Sequence, residues 1–250
     1  LADTLKHLAQ SGGHSFYHGP LAQTLVDAVQ QADGIWSMQD LAEYQVQWRA
    51  PLQVQLADNR QLISAPPPSA GGVTLAQSLL ILQQQPWQQA DTVQRTHLIA
   101  EALRRAYRDR SLLGDPDFID NPVRVLLSSE HIDALSASIK LQQATPSSEL
   151  PPASSIHENE QTTHFAVIDR QGNAVAATLS LNMMFGAAFT VPGTGILLND
   201  EMDDFAADVS GSNVYGLIGS TANQIEPKQR PLSSMSPSFI ESPSSFAAFG

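Results

Sequence analysis

Hydrophobic residues in the first half of the chain recur every three or four positions, which is the spacing of an amphipathic helix. The pattern is clear from the first residues, where Leu1, Leu5 and Leu8 share one predicted helix face. Ser37 and Asp40 have the spacing of a capping box and predict the start of a further short helix. The other predicted helices cover residues 1–10, 21–31, 73–85, 91–113 and 128–139, of which 73–85 and 91–113 are the longer ones.

Two short strand-like runs interrupt these helices, at residues 52–56 and 61–64. Asp58-Asn59 lies between them and predicts a hairpin turn. The next segment, residues 65–72, is rich in Pro and Gly. Pro lacks a backbone donor and Gly allows unusual backbone angles, so this segment is predicted to be neither helix nor central strand.

The period changes in the second half of the chain. Residues 163–169 and 174–181 are predicted to be paired strands with a turn between them, and further strand-like runs with Gly-rich turns continue to Phe249. Helices followed by strands predict the α+β class or part of a layered sandwich. The order of strands in the sheet does not follow from the pattern.

Composition narrows the function classes. Of 250 residues, 42% are hydrophobic and 15% charged, which predicts a packed globule of one or two domains. The net charge of −12 argues against a surface for nucleic acid. No apolar run reaches the roughly 18 residues that a membrane span needs. There is no cysteine, which excludes disulfides, cysteine zinc sites and thiol nucleophiles.

Metal-binding motifs are incomplete. The run that begins His157-Glu158 has Gln161 where a zinc-binding motif has its second histidine. The acidic residues near Asp115 lack the ligand spacing of an EF-hand. No metal and no cofactor is therefore predicted. The acidic run at residues 199–204 has two open interpretations, a solvated turn or a pocket for a substrate ammonium group.

The junction between the halves carries the most specific chemistry. Residues 142–161 lack periodicity and predict an exposed loop, which leads directly into a strand beginning near Thr162. Threonine is a poor nucleophile unless a base lies beside it. A chain break before Thr162 would free an α-amino group, whose pKa of about 7.7–8.0 suits that role. A plain loop entering an edge strand is the alternative interpretation.

The chain resembles the γ-glutamyltranspeptidase family at many separated motifs in family order. From Gln161 onward these include Thr162-Thr163-His164, Gly172-Asn173-Ala174, Phe185-Gly186, Leu198-Asn199, Met202-Asp203-Asp204-Phe205 and Arg230-Pro231-Leu232-Ser233-Ser234-Met235-Ser236-Pro237. Upstream they include Phe16-Tyr17-His18-Gly19, Pro66-Pro67-Pro68-Ser69-Ala70-Gly71-Gly72, Asp109-Arg110 and Gly114-Asp115-Pro116-Asp117-Phe118.

The resemblance implies an N-terminal-nucleophile hydrolase, a four-layer αββα sandwich of the α+β class. It also implies a precursor that cuts itself between Gln161 and Thr162, so that residues 1–161 belong to a large subunit and 162–250 to a small one. Members of the family are longer, so an internal fragment, incomplete at both ends, is expected. A substrate-binding Arg would precede it and the oxyanion-hole Gly-Gly pair would follow it, which predicts little or no turnover of these 250 residues alone.

The resemblance implies a role for each residue of this chain that matches a functional position of the family. Thr162 is the implied nucleophile, and Ser180 stands where the family commonly has a supporting Thr. The remaining matched residues bind the substrate. Asn182, Glu201 and Asp204 match positions that bind the α-amino group, Ser233 and Ser234 match positions that bind the α-carboxylate, and Tyr215 lies in a predicted lid at 209–220.

The implied reaction is transfer or hydrolysis of γ-glutamyl groups from glutathione and related amides through a threonine ester. Water, an amino acid or a dipeptide would accept the glutamyl group. Implied partners are the two subunits of a heterodimer, and open sheet edges favour association of fragment copies. Family resemblance also implies a periplasmic or secreted parent protein. A cephalosporin-acylase-like amidase, a non-catalytic glutamyl-binding fragment and a purely structural role are the alternatives.

Overall fold

The computed structural model describes residues 1–150, 162–206 and 220–250, which contain helices and antiparallel strands. Short 3₁₀ helices lie at Ser147–Glu149, Glu201–Asp204 and Thr221–Asn223. The α-helices are α1 (Ala2–Ser11), α2 (His14–Tyr17), α3 (Pro20–Gln31), α4 (Met38–Glu43), α5 (Gly71–Gln83), α6 (Thr92–Arg110), α7 (Val123–Leu126) and α8 (Ser129–Ala137). The strands are β1 (Leu52–Gln55), β2 (Gln61–Ser64), β3 (Thr163–Ile168), β4 (Ala174–Leu179), β5 (Thr190–Val191), β6 (Ile196–Leu197), β7 (Ser238–Ser242) and β8 (Ser245–Phe249).

The chain divides into two compact units. The smaller unit comprises Leu1–Arg49 and Ser180–Asp200, and it holds α1 to α4 with the β5–β6 pair. Its core forms where Ala22 and Val26 of α3 pack against Leu41 of α4. The two segments of this unit also contact each other where the Thr4 hydroxyl donates a hydrogen bond to the carbonyl of Thr194 (2.8 Å).

The larger unit comprises Ala50–Leu179 and Glu201–Gly250. Its main sheet has the strand order β1-β2-β7-β8, with antiparallel neighbours throughout. Strand β2 pairs with β7 in the register Ser64 to Ser238, so the sheet joins segments from both halves of the sequence. The buried hydroxyls of this same pair hydrogen-bond to each other at 2.8 Å. The predicted division into a large subunit (1–161) and a small subunit (162–250) refers to chain cleavage, and it stays a prediction.

Helix α5 connects the sheet to the other helices of the larger unit. On one side, Ala76 packs with Leu62 and with Ile240 of the sheet. On the other, Ile81 packs against α6 and α8 through Leu98 and Ile132. Because α5 is apolar on both sides, its hydrophobic residues cover most of its circumference, as expected for a buried helix.

Helix α6 contains a buried ion pair. The carboxylate of Glu101 and the guanidinium of Arg105 are one turn apart, with a separation of 2.6 Å and at most 2% of either side chain exposed. Thr145 donates its hydroxyl to Glu101 at 2.5 Å. Arg105 also donates to the carbonyl and hydroxyl of Ser138. The network therefore attaches the chain after α8 to the middle of α6.

The hairpins predicted from the sequence are present. Asp58 and Asn59 both have positive φ (58° and 55°), the signature of a tight hairpin turn between β1 and β2. Strands β3 and β4 pair antiparallel with Thr163 opposite Leu179. Helix α6 begins at its Asp91 capping box and ends at Arg110, earlier than the expected Leu113. In the described ranges, no helix is both long and apolar enough to cross a bilayer.

One local prediction was wrong. Gly71 and Gly72 were expected outside any helix, but they form the first turn of α5. A Cβ on Gly72 would lie 2.3 Å from the carbonyl oxygen of Ala65, and one on Gly71 would lie 2.5 Å from that of Ser234. Both glycines are needed because other backbone segments approach the helix start closely, and not because their φ angles are unusual.

Candidate active site

The two predicted anion-binding serines are attached to the segment before α5. The backbone N–H of Ser233 donates to the carbonyl of Pro68 (2.9 Å), and the carbonyl of Ser233 accepts from Ala70 (2.8 Å). Ser69 completes a parallel bridge with Ser233. The Pro-rich segment therefore fixes the backbone from which Ser233 and Ser234 project.

This close approach makes Gly71 a testable position. In Gly71→Ala, the new Cβ would meet the Ser234 carbonyl at 2.5 Å and the Ser236 Cβ at 2.8 Å. We expect the free energy of unfolding to fall by about 1–3 kcal/mol, as for other overpacked positions. Helix propensity alone would change it in the opposite direction, by up to about 1 kcal/mol. Urea unfolding measures the sign, and a more stable variant would contradict the close contact.

Arg110, the last residue of α6, reaches the second of these serines. Its Nε and Nη2 atoms donate to the Ser234 hydroxyl oxygen at 3.3 and 3.2 Å. The residue is buried, with only 8% of its surface exposed. Burial lowers the pKa of the Arg110 guanidinium from its usual value, while the charges of Asp204 and Tyr107 act in the opposite direction. Arginine remains protonated under such conditions, so a buried cation faces both Ser234 and Asp204.

The predicted amine-binding carboxylates lie on the 3₁₀ helix Glu201–Asp204. The side chain of buried Asn223 links this helix, through two hydrogen bonds, to the segment that contains Ser233 and Ser234. Its Nδ2 donates to the Asp204 carbonyl (2.7 Å), and its Oδ1 accepts from the backbone N–H of Leu232 (2.9 Å). Acidic and hydroxyl-bearing segments that are distant in sequence are thereby fixed side by side.

Asp115 supports the same region from the loop after α6. It is fully buried, and its Oδ2 accepts from the backbone N–H of Arg230 (2.8 Å), while its Oδ1 accepts from that of Asp117 (3.1 Å). The carboxylate of Asp115 thus anchors two backbone segments. Within residues 1–150, 162–206 and 220–250, no group of three or more His, Asp or Glu side chains is placed to hold a metal ion.

Thr162, the predicted nucleophile, is exposed and lies directly before β3. Two residues further on, the His164 ring hydrogen-bonds to the Thr178 hydroxyl of the paired strand β4 (2.8 Å), which fixes the start of the hairpin. Strand β3 also contacts β8. The predicted cleavage partner Gln161 lies outside the described residues, as does the lid residue Tyr215.

Ser180 and Asn182 belong to the smaller unit. The Ser180 hydroxyl accepts from the backbone N–H of Asn182 (2.9 Å), and Asn182, which is 4% exposed, donates its Nδ2 to the carbonyl of Asp200 (3.2 Å). Asp200 accepts in turn from the backbone N–H of Met183 (2.9 Å). Asn182 has a positive φ of 67°, a conformation that Asn tolerates better than most residues. This tight loop holds the Ser180 hydroxyl against the backbone of Asn182 and the Asn182 side chain against Asp200.

The structure therefore assembles the predicted residues in two groups. In the larger unit it brings Asp204, Ser233 and Ser234 together, and in the smaller unit it brings Ser180 and Asn182 together. Sequence reasoning assigned no role to Arg110 or Asn223, although both prove central to the first group. The signal for Arg110 in the sequence was its place in the Asp109-Arg110 motif that the chain shares with the family.

Similarity to known proteins extends over the whole chain. A family model for gamma-glutamyltranspeptidase matches residues 1–250. The glutathione hydrolase proenzyme of Pseudomonas sp. (strain A14) is 42% identical over 243 residues, which cover 96% of this chain and 42% of that protein. The chain thus spans less than half the length of this curated relative.

Solved structures show the same likeness. Cephalosporin acylase from Bacillus halodurans aligns with 97% of this chain and 41% of its own, at a TM-score of 0.79 and 26% identity. Helicobacter pylori gamma-glutamyltranspeptidase aligns with 60% of this chain and 44% of its own, at a TM-score of 0.56 and 33% identity. These likenesses confirm the predicted α+β, N-terminal-nucleophile hydrolase class. The chain belongs to the gamma-glutamyltranspeptidase family.

Proposed function

We propose that the full-length protein transfers or hydrolyses γ-glutamyl groups through an ester on Thr162. The observation that supports this proposal is that Arg110 and Asn223 connect the segment of Asp204 with the segment of Ser233 and Ser234. The α-carbon end of a glutamyl group bears both an ammonium and a carboxylate. A site for it needs an acidic group and hydrogen-bond donors fixed close together, which this cluster supplies.

In the proposed reaction, the Thr162 hydroxyl oxygen attacks the γ-amide carbonyl while the α-amino group of the same residue takes the hydroxyl proton. The amine of the donor, such as glutathione, leaves with that proton. The glutamyl ester is then cleaved by water or by the amine of an amino acid or dipeptide. The remaining roles are proposed from matching family positions alone: Ser180 as support of the nucleophile, Asn182 and Glu201 as further ligands of the substrate ammonium, and Tyr215 as a lid residue.

The same threonine is proposed to release itself. Its hydroxyl attacks the Gln161 carbonyl, the peptide C–N bond breaks to give an ester and a free amine, and water hydrolyses the ester. The word proenzyme in the name of the Pseudomonas relative supports such processing. Pairing of β2 with β7 supports it too, because residues 61–64 and 238–241 would hold the two pieces in one sheet after the cut.

The partners proposed for the protein follow from this chemistry. They are a γ-glutamyl donor, an acceptor amine or water, and the large and small subunits of a heterodimer. Association of several copies and a periplasmic or secreted location are further parts of the proposal. They rest on family resemblance.

The second candidate function is that of a cephalosporin-acylase-like amidase, which the TM-score of 0.79 to the Bacillus halodurans enzyme favours. The two candidates differ in whether the acyl group carries an α-ammonium. Glutaryl amides lack this group but keep the carboxylate. Asp204 is therefore the residue whose removal separates the two functions.

We expect the full-length protein to prefer γ-glutamyl-p-nitroanilide over glutaryl-p-nitroanilide. Asp204→Asn should lower kcat/KM for the glutamyl substrate on the order of 10- to 100-fold, the size of a lost charged hydrogen bond, and leave the glutaryl rate nearly unchanged. The matched control is Asp203→Asn on the same 3₁₀ helix, which should keep the preference. Equal rates on both substrates, or no effect of Asp204→Asn, would favour the acylase function.

A further inference from the structure

The hydroxyl group of Ser234 has a defined polarity. A guanidinium offers only N–H donors and no acceptor. The Ser234 oxygen must therefore accept both hydrogen bonds from Arg110, at 3.3 and 3.2 Å. Its single proton cannot point at Arg110 and is left to donate in another direction. Ser233 has the same polarity, since its hydroxyl oxygen accepts from the backbone N–H of Met235 (3.1 Å).

The two serines differ in what polarises them. Ser233 accepts from a neutral backbone amide, whereas Ser234 accepts twice from a cation. Hydrogen bonds from a charged donor are stronger than neutral ones. A hydroxyl that accepts such bonds becomes a better donor itself, because hydrogen bonds in a chain polarise one another. The Ser234 hydroxyl is therefore the stronger hydrogen-bond donor of the two toward an anionic acceptor.

Arg110 also faces the acidic side of the cluster. Asp204 lies close enough for its charge to act on the guanidinium, and its backbone is fixed by Asn223. The charges of Arg110 and Asp204 offset each other in a region with little solvent. One buried side chain therefore sits between the groups proposed for the two charged ends of the substrate.

We infer that Arg110 is a positioning residue that fixes Ser234 as a hydrogen-bond donor to the α-carboxylate of the γ-glutamyl substrate, and so determines selectivity for acyl groups that carry this carboxylate. The inference rests on the proposed function. Arg110 acts through Ser234 and does not itself touch the substrate.

The test uses the full-length protein and two p-nitroanilides. The γ-glutamyl compound carries the α-carboxylate, and the 4-aminobutyryl compound lacks it but keeps the amine. Arg110→Met and Ser234→Ala should each raise KM for the γ-glutamyl compound on the order of 10-fold or more, with little change for the 4-aminobutyryl compound. In the ratio of KM for the γ-glutamyl compound to KM for the 4-aminobutyryl compound, the Arg110→Met/Ser234→Ala double variant should be no worse than Ser234→Ala alone. Both substrates carry the amine, so this ratio reports only the interaction that Arg110 and Ser234 share.

Arg110→Lys keeps the charge but loses the two-pronged donor geometry. It should therefore fall between wild type and Arg110→Met, and it carries the test if Arg110→Met does not fold. Arg108→Lys, in the same helical turn but paired with Asp109 (3.1 Å), is the matched control and should behave as wild type.

The outcomes distinguish a failure of the role inferred for Arg110 from a failure of the proposed γ-glutamyl function. Additive effects in the double variant, or equal losses on both substrates for Arg110→Met or Arg110→Lys, would overturn the role of Arg110 and indicate a structural one. If Ser234→Ala leaves KM for γ-glutamyl-p-nitroanilide unchanged, the assignment of the carboxylate site fails and the inference fails with it.

Discussion

Thr162→Ala should leave the full-length protein uncut after long incubation and lower γ-glutamyl turnover by on the order of 10⁴-fold or more, as for nucleophile removal in other acyl-transfer enzymes. The physical reason is that alanine removes the attacking oxygen. Without the first attack, the peptide bond to Gln161 also persists, so the base of the proposed mechanism, a free α-amino group, never forms. Denaturing electrophoresis detects the cut, and p-nitroaniline release measures turnover.

Thr163 is the matched control for this prediction. It is the next residue, is exposed and begins β3. Thr163→Ala should be cut and should turn over substrate. Thr162→Ser keeps the hydroxyl but loses the methyl group that restricts its rotamer, so slower cutting is expected. Normal cutting or normal turnover in Thr162→Ala would contradict the proposed nucleophile.

Glu101→Gln should lower the free energy of unfolding by about 3–5 kcal/mol at neutral pH, because it leaves the buried Arg105 without its counter-charge. Each charged atom of the pair is bonded in the wild type, by Thr145 at the carboxylate and by Ser138 at the guanidinium. Urea unfolding at pH 7 measures the difference. The matched control is Asp58→Asn, which breaks an exposed pair with Arg60 (3.3 Å) and should change stability by no more than about 1 kcal/mol.

The same pair predicts a pH dependence. Burial by itself raises the pKa of Glu101, but hydrogen bonds from Thr145 and Arg105 and the charge of Arg105 outweigh it and lower the pKa from 4.5 to about 2. A carboxyl whose folded pKa is lowered stabilises the fold above the unfolded pKa and loses this contribution as pH falls through the folded value. The gap between wild type and Glu101→Gln should therefore narrow from pH 4.5 down to about 2. A gap that stays constant would exclude the ion pair as its cause.

Local features of the fold were predictable because local sequence determines them. The β1–β2 hairpin follows from Asp58-Asn59, whose side chains tolerate the left-handed backbone of the turn. Helix α6 follows from its capping box at Asp91 and its apolar spacing. The shortest helices, α2 and α7, were missed because one turn contains too few residues to show a period.

Features set by contacts between distant segments were not predictable. Position 71 at the start of α5 needs a glycine because the Ser234 carbonyl oxygen lies 2.5 Å from where a Cβ would be, and no local pattern reveals that neighbour. The pairing of β2 with β7 joins residues that are far apart in sequence. Alternation identifies a strand, but it carries no information about which strand lies next to it.

The candidate site divides in the same way. Thr162, Asp204 and Ser234 were identified by matching family motifs, and composition alone left the acidic run open between a solvated turn and an ammonium pocket. Asn223 and Arg110 were missed, since their importance depends on what they contact. Asn223 joins segments through both atoms of its amide, and Arg110 reaches a serine 124 positions away.

Trapping the covalent intermediate tests directly whether Thr162 carries the glutamyl group. The full-length protein is mixed with a γ-glutamyl donor, quenched in acid during turnover and examined by mass spectrometry with peptide fragmentation. We expect a polypeptide that begins at Thr162 and bears one glutamyl group as an ester on that residue. A glutamyl group on any other residue, or turnover by a chain still joined at Gln161-Thr162, would contradict it.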